Sequence, residues 1–299
     1  MKTKLTLLLT MVLVLSLPGF SQIPDRRGRN RSASTSVDGD RNVTNCGDIR
    51  VTYDRRPAIT EESEMTIPAS QVSTLQARAS NNGIYVSGWD RNEYSVKTCK
   101  AAPPDSASAL RDITTTHVNG RISVDGPSDR EWMANLIIMA PRLSVLDLST
   151  ANGPLHLRDL AGNIRLSASN GPVHLENVGG SVQATTANGP IHVEGASGDH
   201  RLSATNGPIH VALSGSRWDG PGLEATTQNG PLTVAVPDAY GSGIRIQASD
   251  HSPIRCTAAA CSQATRTLSS PSLIRIGSGD PVVRFSTVNG PVSIQPAKQ

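Results

Sequence analysis

The chain has 299 residues, with 28 Lys and Arg against 25 Asp and Glu, a formal net charge of +3. So small an excess predicts no general attraction to nucleic acid. Aromatic residues make up 3% of the chain, which fits a narrow interior better than a large globular core.

In chain order, residues 1–21 read as a secretory signal peptide. Lys2 and Lys4 form the basic start, Leu5 to Leu17 the apolar stretch, and Gly19-Phe20-Ser21 the cleavage site. The apolar run of about 13 residues is too short for a comfortable transmembrane helix. The mature chain is therefore expected to be exported, periplasmic or at the cell surface, with no integral membrane segment. Losing Lys2 and Lys4 takes the formal charge from +3 to +1. Residues 22–44 form a polar arm with Arg26, Arg27, Arg29 and Arg31 close together. The arm reads as a disordered linker, with contact to an anionic envelope surface as the functional alternative.

Residues 45–130 read as divergent N-terminal rungs or a cap. Asn82-Gly83-Ile84-Tyr85-Val86 and Asn119-Gly120-Arg121-Ile122-Ser123-Val124 keep the corner and the alternation of the later repeats but lack their proline. Residues 131–299 carry the repeats, with an irregular insert at 236–280. Six copies of Asn-Gly-Pro begin at Asn152, Asn170, Asn188, Asn206, Asn229 and Asn289, the first four 18 residues apart. Positions −6, −4, +3 and +5 from each Asn give Leu146, Leu148, Leu155 and Leu157 in the first copy, then Ile164, Leu166, Val173 and Leu175. Over the six copies, every one of these 24 positions except His200 is hydrophobic, where composition alone would give roughly nine.

Alternation at period two means strands with every second side chain on one face. Asn-Gly between such runs is normally a hairpin signal, but the following Pro has no N–H to return across the turn and holds the glycine near extended geometry. Each tripeptide is therefore expected to be a corner joining two sheets. The fold class that follows is all-β, a single-domain β-solenoid of about 18-residue, two-strand rungs, in which each strand pairs in parallel with its equivalent one rung away. About nine rungs would make a stack on the order of 43 Å long. The corner Asn residues could then bond to one another as a ladder. Position −2 is always Thr or Ala (Thr150, Ala168, Thr186, Ala204, Thr227, Thr287), which lets the inner faces approach closely. A β-sandwich with open turns is the alternative.

Four cysteines in an exported chain point to two disulfides, with three pairings open. Cys256 and Cys261 enclose only four residues, so a local staple is the first choice, leaving Cys46 with Cys99. A metal site built from the four is disfavoured, since none stands at Cys-x-x-Cys spacing.

Position +4 carries His156, His174, His192 and His210, followed by Thr233 and Ser293. Lying between two inward positions, these side chains should face outward and stack one per rung. Such a column could share a transition metal or respond to pH; the plainer reading is a solvent-facing His copied with its repeat. Other outward positions form mixed polar columns, with Arg165, Gln183, Arg201, Glu224 and Arg284 at −5 and Ser or Thr at −3. Those could contact a glycan or a protein, or could simply be a solvated sheet surface. Trp89, Trp132 and Trp218 are too scattered for a sugar-stacking platform and read as core or cap residues. No phosphate loop, His-Glu-x-x-His or Gly-x-Ser-x-Gly motif is present, and Asp147, Asp159, Glu176, Glu194 and Glu224 do not all share one repeat position, so no catalytic residue is assigned.

The run Ala134-Asn-Leu-Ile-Ile-Met-Ala-Pro141, followed by Leu146-Asp-Leu-Ser-Thr-Ala-Asn-Gly153, resembles the opening of a bacterial repeat family known as the "putative adhesins", domains of unknown function with repeated short strands. The segment Ile84-Tyr85-Val86-Ser87-Gly88-Trp89-Asp90 resembles that family's early part. The resemblance covers about residues 80–295 and implies an exported β-solenoid with a non-enzymatic role; it transfers no binding residues. Residues and resemblance together predict a surface or periplasmic binding scaffold that works by multivalent contacts. A cell-surface glycan or envelope protein is the expected partner, no cofactor is needed, and end-to-end self-association is a further expectation. A structural envelope component without a ligand is the main competitor, and a polysaccharide-active β-helix enzyme comes third.

Overall fold

The computed structural model describes residues 33–37, 42–249, 252–267, 271–277 and 281–297. The chain divides into two units, Met1–Ser32 and Ala33–Gln299. The described residues belong to the second, so the expected signal peptide and the Arg26–Arg31 cluster lie outside them. Apart from short 3-10 turns they are all strand and connection. Among them are a front sheet of 12 strands, a back sheet of 11 and a small sheet of three.

Strands that run into an Asn-Gly-Pro lie in the front sheet, and strands that leave it lie in the back sheet: Val145–Asn152 and Leu155–Leu160, then Asn163–Asn170 and Val173–Val178, and so on through the repeats. Each pairs in parallel with its counterpart one repeat away, Asn152 opposite Asn170, Asn170 opposite Asn188 and Asn188 opposite Asn206. The tripeptide is thus a corner between sheets, as the missing proline N–H requires. The inward residues of both sheets, among them Leu146, Leu148, Leu155 and Leu157, pack as one continuous buried core.

Backbone geometry explains each residue of the corner. The N–H after each Pro donates to the Pro carbonyl of the next repeat, Leu155 to Pro172 at 2.9 Å and Val173 to Pro190 at 2.9 Å. Pro itself needs only its carbonyl, so no buried donor is left over. The corner glycines have no positive φ; what they supply is room. A Cβ on Gly171 would strike the carbonyl of Gly153, and one on Gly189 the carbonyl of Gly171. The buried Thr two residues before the Asn uses the same contact, Thr227 Oγ1 donating to the Gly207 carbonyl at 2.8 Å and Thr186 Oγ1 to that of Gly171 at 3.3 Å.

The Asn side chains form a ladder. Asn170 Nδ2 donates to Asn152 Oδ1 at 2.9 Å, Asn188 to Asn170 at 2.9 Å, Asn206 to Asn188 at 3.0 Å, Asn229 to Asn206 at 2.9 Å and Asn289 to Asn229 at 2.9 Å. Asn152 continues it to Asn81 at 2.9 Å. On the return from back sheet to front, Asp159, Asn177 and Gly195 take left-handed φ values of 54°, 51° and 63° at equivalent positions. These are the residue types that tolerate that region best.

The N-terminal part departs from simple rungs. Leu75–Ala79 and Ile84–Trp89 do join front sheet to back across Asn82-Gly83. Asn119-Gly120, expected to be a corner, instead closes an antiparallel hairpin between Thr114–Val118 and Arg121–Asp125. Asn119 and Gly120 have φ of 50° and 80°, the primed-turn signature, and the next residue is Arg121, whose N–H is available where a proline's is not. Met133–Pro141 pairs in parallel with Ile84–Trp89, and Glu93–Ala102 and then Ile59–Pro68 extend the back sheet beyond it by antiparallel pairing. Within the arm expected to be disordered, Ala33–Val37 forms a strand paired with Ile49–Tyr53. Thr35 and Val37 are half-buried, and Val37 packs against the cluster of Ile49, Val51, Tyr53 and Ile137.

The insert also lies elsewhere than its place in the sequence implies. Pro281–Asn289 pairs directly with Gly222–Asn229, and Gly243–Ala248 stacks on the far side of Pro281–Asn289. In the back sheet Val292–Pro296 likewise sits between Leu232–Val236 and Ile254–Cys256. The irregular strands therefore lie beyond the last repeat rather than interrupting the stack. Disulfides join Cys46 to Cys99 and Cys256 to Cys261, with Cα separations of 5.2 and 6.0 Å.

Candidate functional site

Parallel pairing carries each repeat's outward residues into register, so any side chain copied with the repeat becomes a row across the sheet. On the back sheet His156, His174, His192 and His210 stand opposite one another on successive strands, all half-buried. Their ring centroids are 5.5, 4.8 and 5.9 Å apart along the row. His174 and His192 stack face to face at an interplanar angle of 8°. A metal binds imidazole nitrogens in the ring plane, and two nearly parallel planes do not meet at a shared ion. No group of three or more His, Cys, Asp or Glu placed to hold a metal occurs among the described residues.

Burial pushes His156 below its ordinary value, with Glu176 pulling the other way and Arg158 adding to the depression. Burial also lowers His192, helped by the neighbouring His210. Arg158 lies 3.2 Å from Asp159 and 3.8 Å from Glu176. One end of the row is closed: Tyr85 stands opposite His156, at 6.4 Å between rings, and its burial beneath the small sheet raises the phenol to about 12. The Cys46–Cys99 bridge ties that small sheet to the back sheet.

The front sheet carries a second row that the 18-residue spacing reveals only in part. Arg275, Arg245, Arg284, Glu224, Arg201, Gln183, Arg165, Asp147, Gln76 and Arg121 follow one another in register on neighbouring strands. Six are arginines and two are carboxylates. Arg201 pairs with Asp199 at 3.1 Å and Arg121 donates to Gln76 at 3.4 Å. Arg245, Arg275 and Arg284 are exposed and form no ion pair among the described residues. Beside the row runs a line of hydroxyls, Ser149, Ser167, Thr185, Ser203, Thr226 and Ser286, again in register. Arg165, Gln183, Arg201, Glu224 and Arg284 are visible in sequence as one repeat position. Arg245 and Arg275 are not, because they belong to strands outside the repeat phase.

Of the 24 positions read as hydrophobic and inward, the one exception is indeed buried: His200 has no exposed surface and packs edge-on against Trp218, 5.7 Å between ring centroids. Trp218 Nε1 donates to the Gly198 carbonyl at 2.9 Å. Trp132 and Trp89 likewise donate to backbone carbonyls, those of Pro127 and Glu93, so each of the three indoles serves local structure. No helix among the described residues is long and apolar enough to cross a membrane.

No family model matches the chain, and no curated protein matches it. Two crystal structures are similar in outline. One is named a "putative cell adhesion protein" from Clostridium sporogenes, at 10% identity and a TM-score of 0.35 over 80% of this chain and 100% of that one. The other is named a "putative adhesin" from Bacteroides fragilis, at 11% identity and a TM-score of 0.30 over 80% of this chain and 97% of that one.

Proposed function

We propose that the protein is an exported, non-catalytic β-solenoid that acts as a binding scaffold at the cell surface or in the periplasm. The observation that carries this reading is repetition in register. Identical or similar outward side chains recur at strand spacing across both sheets, which suits many weak contacts to a repetitive partner far better than one deep site. Two disulfides suit an oxidising compartment. The partner class is a cell-surface glycan or an envelope protein, engaged without a cofactor. End-to-end association finds less support, because the front sheet ends at both edges in antiparallel strands, Thr114–Val118 and Thr265–Thr267, rather than in open copies of the repeat.

The test is retention of the purified protein on intact cells and envelope fractions, with and without soluble glycans. Saturable retention that a glycan or an envelope protein fraction competes away supports the scaffold. Retention no greater than that of a surface-scrambled control refutes it and leaves a purely structural component.

A further inference from the structure

We infer that the front-sheet arginine row is a binding site for a linear acidic polysaccharide, centred on Arg245, Arg275 and Arg284. The inference rests on the scaffold reading above and names its ligand class. Like charges opposite one another on adjacent strands destabilise a sheet. Here three arginines stand on three successive strands, about 4.8 Å apart at the backbone. Arg284 has Glu224 opposite it on its other side, yet the two form no ion pair among the described residues. The guanidinium groups therefore present a concentrated, exposed positive charge that no carboxylate among the described residues pairs.

The surface around them is shaped for a chain. Arg245, Arg284, Glu224, Gln247, Thr226 and Ser286 line a shallow hollow of about 330 Å³. From it the row continues across the sheet through Arg201 and Arg165, beside the line of hydroxyls, and on to Arg121. Arginine presents a planar fork that matches carboxylates in bidentate fashion, and the hydroxyl line can donate to and accept from sugar hydroxyls. A polymer with carboxylates along its length meets both rows at once. Single-stranded nucleic acid fits less well, because base recognition on such a surface relies on aromatic stacking and neither row contains an aromatic residue. Glu224 and Asp147 interrupt the charge and favour a ligand that is spaced rather than uniformly anionic.

Binding of polygalacturonate is measured for the purified protein, with dextran as neutral comparator and poly(dT) as nucleic-acid comparator, at low and physiological salt. The expected result is saturable binding to polygalacturonate that weakens with salt, with little binding to dextran. Arg245→Gln/Arg275→Gln/Arg284→Gln should weaken it at least about tenfold, while Arg50→Gln, exposed on the small sheet, leaves it unchanged. Since the three charges repel, the triple variant should melt no lower than the parent, which separates lost binding from lost folding. Equal affinity for dextran, tighter binding to poly(dT), or an unaffected triple variant each overturns the inference. If polygalacturonate is not bound but envelope retention persists, this inference fails and the scaffold stands; loss of both removes both.

Discussion

His200 offers a sharp test of how the core is built. It occupies the position held by Leu146, Ile164, Val182 and Leu223 in other repeats, and Val182 and Leu223 are its partners on the flanking strands. Neither ring nitrogen has a hydrogen-bond partner among the described residues. Burial pushes the imidazole down to about 4 from 6.5. The carbonyls of Ser197 and Val178 and the carboxylate of Asp199 lie near enough to oppose this, without either carbonyl reaching hydrogen-bond geometry. The unfolded chain therefore takes up the proton first as pH falls. Stability is fully present above about pH 6.5 and is lost progressively down to about pH 4, below which both states are protonated. At about 1.36 kcal/mol per pH unit, the loss is about 2 kcal/mol by pH 5 and about 3 kcal/mol in all. His200→Leu restores the side chain of the neighbouring repeats and removes two buried unpaired nitrogens, so it should stabilise the protein by about 1 kcal/mol or more at neutral pH. Urea unfolding of both proteins from pH 7.5 to 4 measures this. The stability gap should widen on acidification by about 2–3 kcal/mol. Parallel profiles, with His200→Leu no more stable at any pH, would refute the account.

The corner makes a second prediction, through two adjacent residues. Asn188→Ala breaks two exposed ladder bonds and should cost about 1 kcal/mol, whereas Gly189→Ala drives a methyl group into the Gly171 carbonyl and should cost about 3 kcal/mol. Thermal melts that rank the two in the opposite order would show that the ladder, not backbone approach, governs the corner. The disulfides should also differ. Their sequence separations of 53 and 5 correspond in chain entropy to about 4 and about 2 kcal/mol. Cys46→Ala/Cys99→Ala should therefore lower the urea midpoint more than Cys256→Ala/Cys261→Ala, and equal effects would count against the entropic account.

Much of the repeat region was legible because its signals are local and copied. Period-two alternation specified inward and outward residues. The 18-residue period put like residues opposite like, and Pro after Asn-Gly favoured a corner over a tight hairpin. Those signals predicted the Asn ladder and the outward His row. Sequence did not explain the corner glycine, since contact with the backbone of another repeat is not a property of one repeat. Non-local pairing hid the rest. Ala33–Val37 is a strand because a partner and an apolar cluster await it. Asn119-Gly120 lacks the proline of the Asn-Gly-Pro corners, but so does Asn82-Gly83, which is a corner all the same. Arg245 and Arg275 join the arginine row through strands whose order in the sheet is not their order in the chain.

That last reordering has a consequence for how the molecule can be completed. Synthesis releases Gly243–Ala248 and Ile254–Cys256 before Pro281–Asn289 and Val292–Pro296, yet the later pair lies inside the earlier one. A chain emerging from its N-terminus can add each repeat to the last as far as Leu232–Val236, and must then hold the terminal strands in waiting. Until Pro281–Asn289 and Val292–Pro296 arrive, two parallel edges stay open to any free strand in solution. The stack's most exposed moment thus falls between the making of Leu232–Val236 and that of Val292–Pro296, and these later strands are the ones that cover it.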